Sequence, residues 1–200
     1  VVVIDNVSHR QLQVSLDANL RAHDGLGAIQ IFPSELDAVH KEFPIFIRKH
    51  SETGQFFLSA LLSPTADSND YCTQGKWHSR YIPLMARRGP FLMSKSNNDD
   101  AIHLCIDRDD PRVLNGSERL FDDTGKLTDV ADRVTRLLQM IHYGHQQPEQ
   151  LMQVLTQHQL IEALTINSGL TPQQSEMLNG LYSINAEKLM QLSEPALLEL

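Results

Sequence analysis

The sequence predicts an α+β fold, a small and mainly antiparallel sheet in residues 10–125 packed with C-terminal helices. Three observations predict it. Short apolar runs bounded by turn residues recur up to residue 125. Residues 45–62 read as one antiparallel hairpin. From Thr128 onward the apolar spacing becomes helical. Residues 1–127 therefore form a mainly β or mixed region and residues 128–200 a mainly helical one, together one continuous domain.

Gln11–Leu16 alternates polar and apolar residues, which is strand period, and Ile29–Phe32 is a second strand. Pro33 breaks it. Ser34 is placed to cap a short helix through Glu42, with Leu36, Val39 and Phe43 on one face. Pro44 ends that helix and opens the strand Ile45–Lys49, where its missing N–H costs least. Glu52-Thr53-Gly54 turns the chain back into Gln55–Leu62. Residues 64–76 form a polar surface loop with a few strand residues near Tyr71. Pro83 and Pro90 bracket Leu84–Arg88, which reads as a single helical turn. Ser94–Asp100 is polar loop, and Ala101–Asp107 is apolar and bounded by loops, as a buried strand is. Leu120–Lys126 reads as a short strand and turn.

Thr128 caps the first long helix, with Asp129 and Asp132 in the turn that the helix dipole favours. Val130, Val134, Leu137, Leu138 and Ile141 make its apolar stripe. Gly144 and Pro148 interrupt the pattern before it resumes at Leu151, which fits one kinked helix or two. Ile161–Ile166 reads as a short strand, and Thr171-Pro172 precedes a polar stretch. Leu178–Ile184 reads as extended. Asn185 caps a helix over Ala186–Met190, and Leu192–Pro195 opens the last.

The hydrophobic fraction of 41% suits a globular chain. A net charge of −8 argues against nucleic acid as the main partner, since phosphate binding needs a concentrated basic face. Arg87-Arg88 and the Arg133, Arg136 pair are expected to bond local carboxylates. Cys105 lies in an apolar stretch and is expected to be buried and inert, while Cys72 lies in a polar one as a free thiol; two cysteines are no disulfide framework. That usage suits a reducing compartment. Val1–Ile4 lacks the basic flank and cleavage site of a signal peptide, and the missing Met suggests a chain that was trimmed or begins mid-gene, which leaves export of a mature chain open. No run approaches the roughly 18–20 apolar residues that a membrane helix needs, so no membrane insertion is expected and a cytoplasmic location is the simplest reading.

No complete catalytic or metal signature appears. His142 and His145 share a helix face, but no third ligand stands at a telling distance, so no metal and no cofactor is expected. His23-Asp24 lacks a distal partner for an iron triad. His103 and Cys105 share a strand face and read as core. Gly25-Leu26-Gly27 lacks the third glycine of a dinucleotide loop, and Asp122–Gly125 lacks the ligand alternation of a calcium loop.

The segment Trp77–Phe91 differs in kind. It gathers the single Trp with Tyr81, Phe91, two prolines and three arginines. Rings and guanidinium groups give rigid, amphipathic contacts, so this is recognition composition as well as core composition. Trp77, His78, Tyr81, Arg87, Arg88 and, further along, Asp107 are the candidate binding residues. A cleft shared by His78, Arg87, Arg88 and Asp107 favours an enzyme; Trp77 and Tyr81 exposed on one face favour a sugar-binding module.

The pattern Trp77-x-x-x-Tyr81-x-Pro83-x-x-x-Arg87-Arg88-x-Pro90-Phe91 resembles that of the bacterial SapC family. Glu42–Phe46, Leu104–Asp107, Leu120–Asp122, Gly180–Leu189 and Leu197–Leu200 follow in that family's order, so the resemblance spans residues 6–200. Two departures stand out. Members usually continue into a further helical stretch beyond the position of Leu200, and the loop around Thr65–Tyr71 looks expanded here. The resemblance implies a non-enzymatic accessory or interaction protein linked to surface-layer or outer-membrane carbohydrate-uptake systems. It also implies a protein partner encoded nearby. Members of that family lie near genes for flavin halogenase-like or cupin-like proteins, so the resemblance also implies the alternative of an enzyme, or an enzyme partner, working with an iron- or flavin-dependent oxygenase. The family has no established catalytic residues, so the resemblance assigns none.

Overall fold

The hairpin that the sequence predicts lies inside the five-stranded sheet of the structure, a computed structural model that describes residues 1–16, 25–95, 102–114, 116–166, 169 and 171–200. His23-Asp24, Asn115 and the 96–100 part of the predicted polar loop lie outside the described residues. In chain order the first strands are β1 (Val2–Val3), β2 (Gln13–Val14), β3 (Ala28–Gln30), β4 (Ile45–Lys49), β5 (Phe56–Leu61), β6 (Cys72–Thr73) and β7 (Lys76–Trp77). β8 (Phe91–Lys95), β9 (Ile102–Ile106), β10 (Glu118–Arg119), β11 (Ile161–Ala163) and β12 (Leu181–Ile184) follow. The helices are α1 (Leu36–Val39), α2 (Leu84–Arg87), α3 (Pro111–Leu114), α4 (Asp129–Gln157), α5 (Pro172–Leu178), α6 (Ala186–Met190) and α7 (Glu194–Leu197).

The fold is α+β. The hairpin β4–β5 pairs from Ile45 with Ala60 to Lys49 with Phe56. It sits inside a five-stranded antiparallel sheet of order β11-β12-β4-β5-β3. The sheet is not confined to residues 10–125: β11 and β12 come from beyond residue 160, so the two regions share it. A second sheet, β1-β9-β8, pairs Phe91 with Ile106 and Val2 with the same Ile106 from the other side.

Each sheet has its own core. Ile31, Val39, Phe43, Ile47, Leu58, Leu155 and Leu160 fill one, under the central sheet. Val14, Phe32, Phe91, Ile106, Leu120, Leu138 and Ile141 fill the other. Each fully buried side chain of this size stabilises by about 1.5–3 kcal/mol. Ile31 and Phe32 are adjacent, point to opposite sides as successive residues of extended chain do, and so enter different cores.

Helix α4 spans both cores. Thr128 caps it, its Oγ1 accepting from the Ala131 N–H at 3.4 Å. It runs as one helix of 29 residues through Pro148. Gly144 explains part of the close fit, because a Cβ there would stand 2.6 Å from Cγ of buried Phe32.

Several expectations shift by a turn or a strand. The helix after Pro33 begins as a 3-10 turn, Pro33–Glu35, and its α part ends at Val39 rather than Glu42. Ser34 does not cap it; Glu35 does, by accepting the Phe32 N–H at 2.9 Å. The strand near Leu120 is β10, one step earlier, because Glu118 and Arg119 pair with Val14 and Gln13. The polar stretch after Pro172 is helix α5, and Leu178 ends it instead of starting a strand. Cys72 is buried at 4% exposure in the small β6–β7 hairpin, since it faces the core across from Trp77.

Candidate functional site

Two carboxyl groups hold the Trp77–Phe91 segment in place. Glu35 is 2% exposed. Its Oε1 accepts from the Tyr81 hydroxyl at 2.9 Å and from the Leu84 N–H at 2.8 Å, while Oε2 accepts from Phe32. The Leu84 bond satisfies an otherwise orphaned donor at the start of α2. Glu42 takes the Arg80 N–H at 2.7 Å and the Tyr81 N–H at 3.0 Å. Burial, then the bond to Glu35 and its charge, push the Tyr81 phenol far above its ordinary value, with Arg87 pulling the other way. Tyr81 is thus a standing hydrogen-bond donor and no base.

The pinned segment presents Arg80 and Arg87 to solvent. Facing them across a groove of about 830 Å³ are Arg133 and Arg136, one helical turn apart on α4. Leu16, Ile82, Val134 and Leu137 line the groove between the arginines. Tyr143, 63% exposed, and Met140 line it further along α4. No carboxylate lines it among the described residues. Arg133 reaches Glu118 only at 3.5 Å, and the guanidinium groups of Arg80, Arg87 and Arg136 have no carboxylate partner among the described residues. The expectation of local carboxylate bonds therefore fails for Arg87 and Arg136. A buried guanidinium that is so held is Arg112, 5% exposed, bound by Asp110 through Nε at 2.8 Å and Nη2 at 2.6 Å.

The remaining sequence candidates disperse. Trp77 is buried at 6% exposure, in the core under the central sheet, and offers no face to a sugar. His78 is exposed just after β7, its N–H bonded to Tyr71 O at 2.9 Å. Asp107 accepts the Asp109 N–H at 3.1 Å and shapes a turn. Arg88 leaves Arg87 for another side of α2, lining a cavity of about 170 Å³ with His142 and His145. Its Nε is buried without an acceptor among the described residues. Burial, then the neighbouring Arg112 charge, lower its pKa. Arg87 and Arg88 thus line different cavities, and neither cavity takes in His78 or Asp107. His142 and His145 do share a face, as their spacing predicts, but the described residues contain no group of three or more His, Cys, Asp or Glu able to hold a metal ion. Cys105 Sγ meets the His103 backbone oxygen at 3.8 Å, not its ring.

Sequence reasoning passed over Glu35, Glu42, Arg80 and Arg112. Glu35 carried a signal, as an acidic residue at the third position after Phe32, where it closes back on a helix start. Arg133 and Arg136 carried another in their one-turn spacing.

Among the described residues no helix is long and apolar enough to cross a membrane. No curated protein and no solved structure matches the chain. A family model described as SapC matches residues 4–200, essentially the whole sequence, with the pinned segment inside it. The chain belongs to the SapC family.

Proposed function

We propose that this chain is a non-enzymatic accessory protein that docks a protein partner encoded near it, in a surface-layer or outer-membrane nutrient-uptake system. The observation that supports this reading is the convergence of Arg80, Arg87, Arg133 and Arg136 on one groove, in a chain whose net charge is −8. Arginine, tyrosine and methionine beside an apolar strip are the residues enriched at protein interfaces. The complementary partner surface is an acidic segment with apolar side chains for Leu137 and Ile82.

The test is co-expression with the products of neighbouring genes, followed by affinity measurement at two salt concentrations. A complex is expected that weakens with salt. The exposed pair Arg87→Ala and Arg136→Ala is expected to lower affinity at least tenfold while the unfolding midpoint holds. A complex indifferent to both substitutions would refute the docking face. Stoichiometric metal in the purified protein, found by elemental analysis, would sink the non-enzymatic reading.

A further inference from the structure

A larger cavity than the arginine groove lies elsewhere. A cleft of about 1040 Å³ opens between the second half of α4 and the β3–β5 side of the central sheet. Its walls carry Gln30 on β3, Gln55 and Phe57 at the start of β5, and Gln153, Thr156 and Gln157 on the last turns of α4. No Asp, Glu, Lys or Arg lines it among the described residues, although 21% of the chain is charged.

What it offers is neutral hydrogen bonding. The side-chain amides of Gln30, Gln55, Gln153 and Gln157 have no hydrogen-bond partner among the described residues. Each amide presents two donors and an acceptor, so one side chain can both give to and take from a hydroxyl. His50 adds a donor of known position: its Nδ1 accepts the N–H groups of Glu52 at 3.3 Å and Thr53 at 3.4 Å, which leaves the ring proton on Nε2. The cleft also has an apolar floor and one open ring. Met152 is buried beneath it. Phe56 is engaged by Tyr182 edge-on at 5.0 Å and by Lys49 at 5.5 Å. Phe57 is half-buried and has no ring partner among the described residues, which makes it the ring of this lining for a ligand to stack on.

We infer that this cleft binds a neutral, polyhydroxylated ligand of the oligosaccharide class, held by the glutamine amides and stacked on Phe57. The volume stands at the upper end of the roughly 300–1,000 Å³ typical of ligand clefts, which suits several linked rings better than one. A phosphorylated or carboxylated ligand meets no Lys or Arg among the described residues of this cleft. The arginine groove lies on the other half of α4, so the inference does not rest on the docking proposal.

The experiment is saturation-transfer NMR and calorimetry on the full chain with maltotetraose, cellotetraose, xylotetraose and chitotetraose, and tetragalacturonate as the charged control. Saturable binding of at least one neutral tetrasaccharide is expected, in preference to tetragalacturonate. The double variant Gln153→Ala with Gln157→Ala is expected to weaken it at least tenfold. Both positions are exposed on a helix, where alanine is well tolerated, so the fold survives. Phe57→Ala is expected to remove the ring contact signal, and Arg87→Ala to leave binding unchanged. The inference is overturned by the absence of saturable binding across the neutral set, by tighter binding of tetragalacturonate, or by binding that survives the glutamine double variant.

Discussion

In its first half α4 turns Arg133, Arg136, Met140 and Tyr143 outward; near its end it turns Gln153, Thr156 and Gln157 outward. The inner side is apolar throughout, with Val134, Leu138 and Ile141 in one core and Met152 and Leu155 in the other. One helix thus serves a charged surface and a neutral one on a common inner stripe. The inner positions are fixed by packing, where a lost methylene is felt. The outer ones are free to carry recognition chemistry. The groove needs a second wall, which the Glu35 and Glu42 bonds hold in place, while the cleft borrows a wall already set by sheet pairing.

The largest effect is expected from removing that wall's anchor. Glu35→Ala strands the Phe32 N–H, the Leu84 N–H and the Tyr81 hydroxyl, each worth about 1–3 kcal/mol when buried and unpaired. A loss of about 3–5 kcal/mol is expected in urea unfolding. If enough fold survives, groove binding should fail before cleft binding does. Equal loss at both surfaces would mean that the anchor supports the whole molecule and not one wall.

Gly144→Ala comes next. The added Cβ meets the Phe32 ring inside a filled core, an overpacking cost of about 1–3 kcal/mol, partly offset by alanine's helix propensity of about 1 kcal/mol. The net change should be destabilising in thermal unfolding, and Phe32→Leu should relieve it in a double-mutant cycle. Additivity of the two substitutions would show that the contact is not the cause.

The smallest effect concerns the boundary between the two surfaces. His145 lines both the cleft and the small cavity at Arg88. Burial, then His142 and Arg88, lower its pKa below the ordinary histidine value. The folded state therefore binds its proton less readily than the unfolded state does. The resulting stability is present above the ordinary histidine pKa and is lost as pH falls through the depressed one. His145 is partly exposed, so the change is small. The unfolding midpoint should drop slightly between pH 7 and pH 5, and His145→Gln should flatten that slope. An unchanged slope in the variant would assign it to other groups.

The sequence spelled out what periodicity spells. The β4–β5 hairpin, the single turn Leu84–Arg87, the Thr128 cap and the Asn185 cap all stand where alternation and capping chemistry put them. It was silent on long-range choices. Nothing local in Leu181–Ile184 says that it pairs beside Arg48, and nothing in Pro172–Leu178 has the apolar stripe of a buried helix. The site was legible in composition and not in arrangement. Trp77–Phe91 was visible as unusual, but that Trp77 turns inward while Arg80 and Arg87 stay out depends on Glu35 and Glu42, some forty residues earlier. The glutamines of the cleft were invisible because no spacing links Gln30 to Gln153.

Strand β12 has a consequence for synthesis. Leu181 and Tyr182 pair with Arg48 and Ile47, so β4 waits for a partner encoded well over a hundred residues later. At about 5–20 residues per second, a ribosome leaves that edge open for on the order of ten seconds. During that interval the hairpin can fold but the central sheet cannot be completed, and the edge of β4 is available to another nascent chain. Its charged tail, Arg48-Lys49, resists such pairing. Slow, late closure of the sheet is therefore expected to make the yield of folded protein more sensitive to expression temperature than its final stability is.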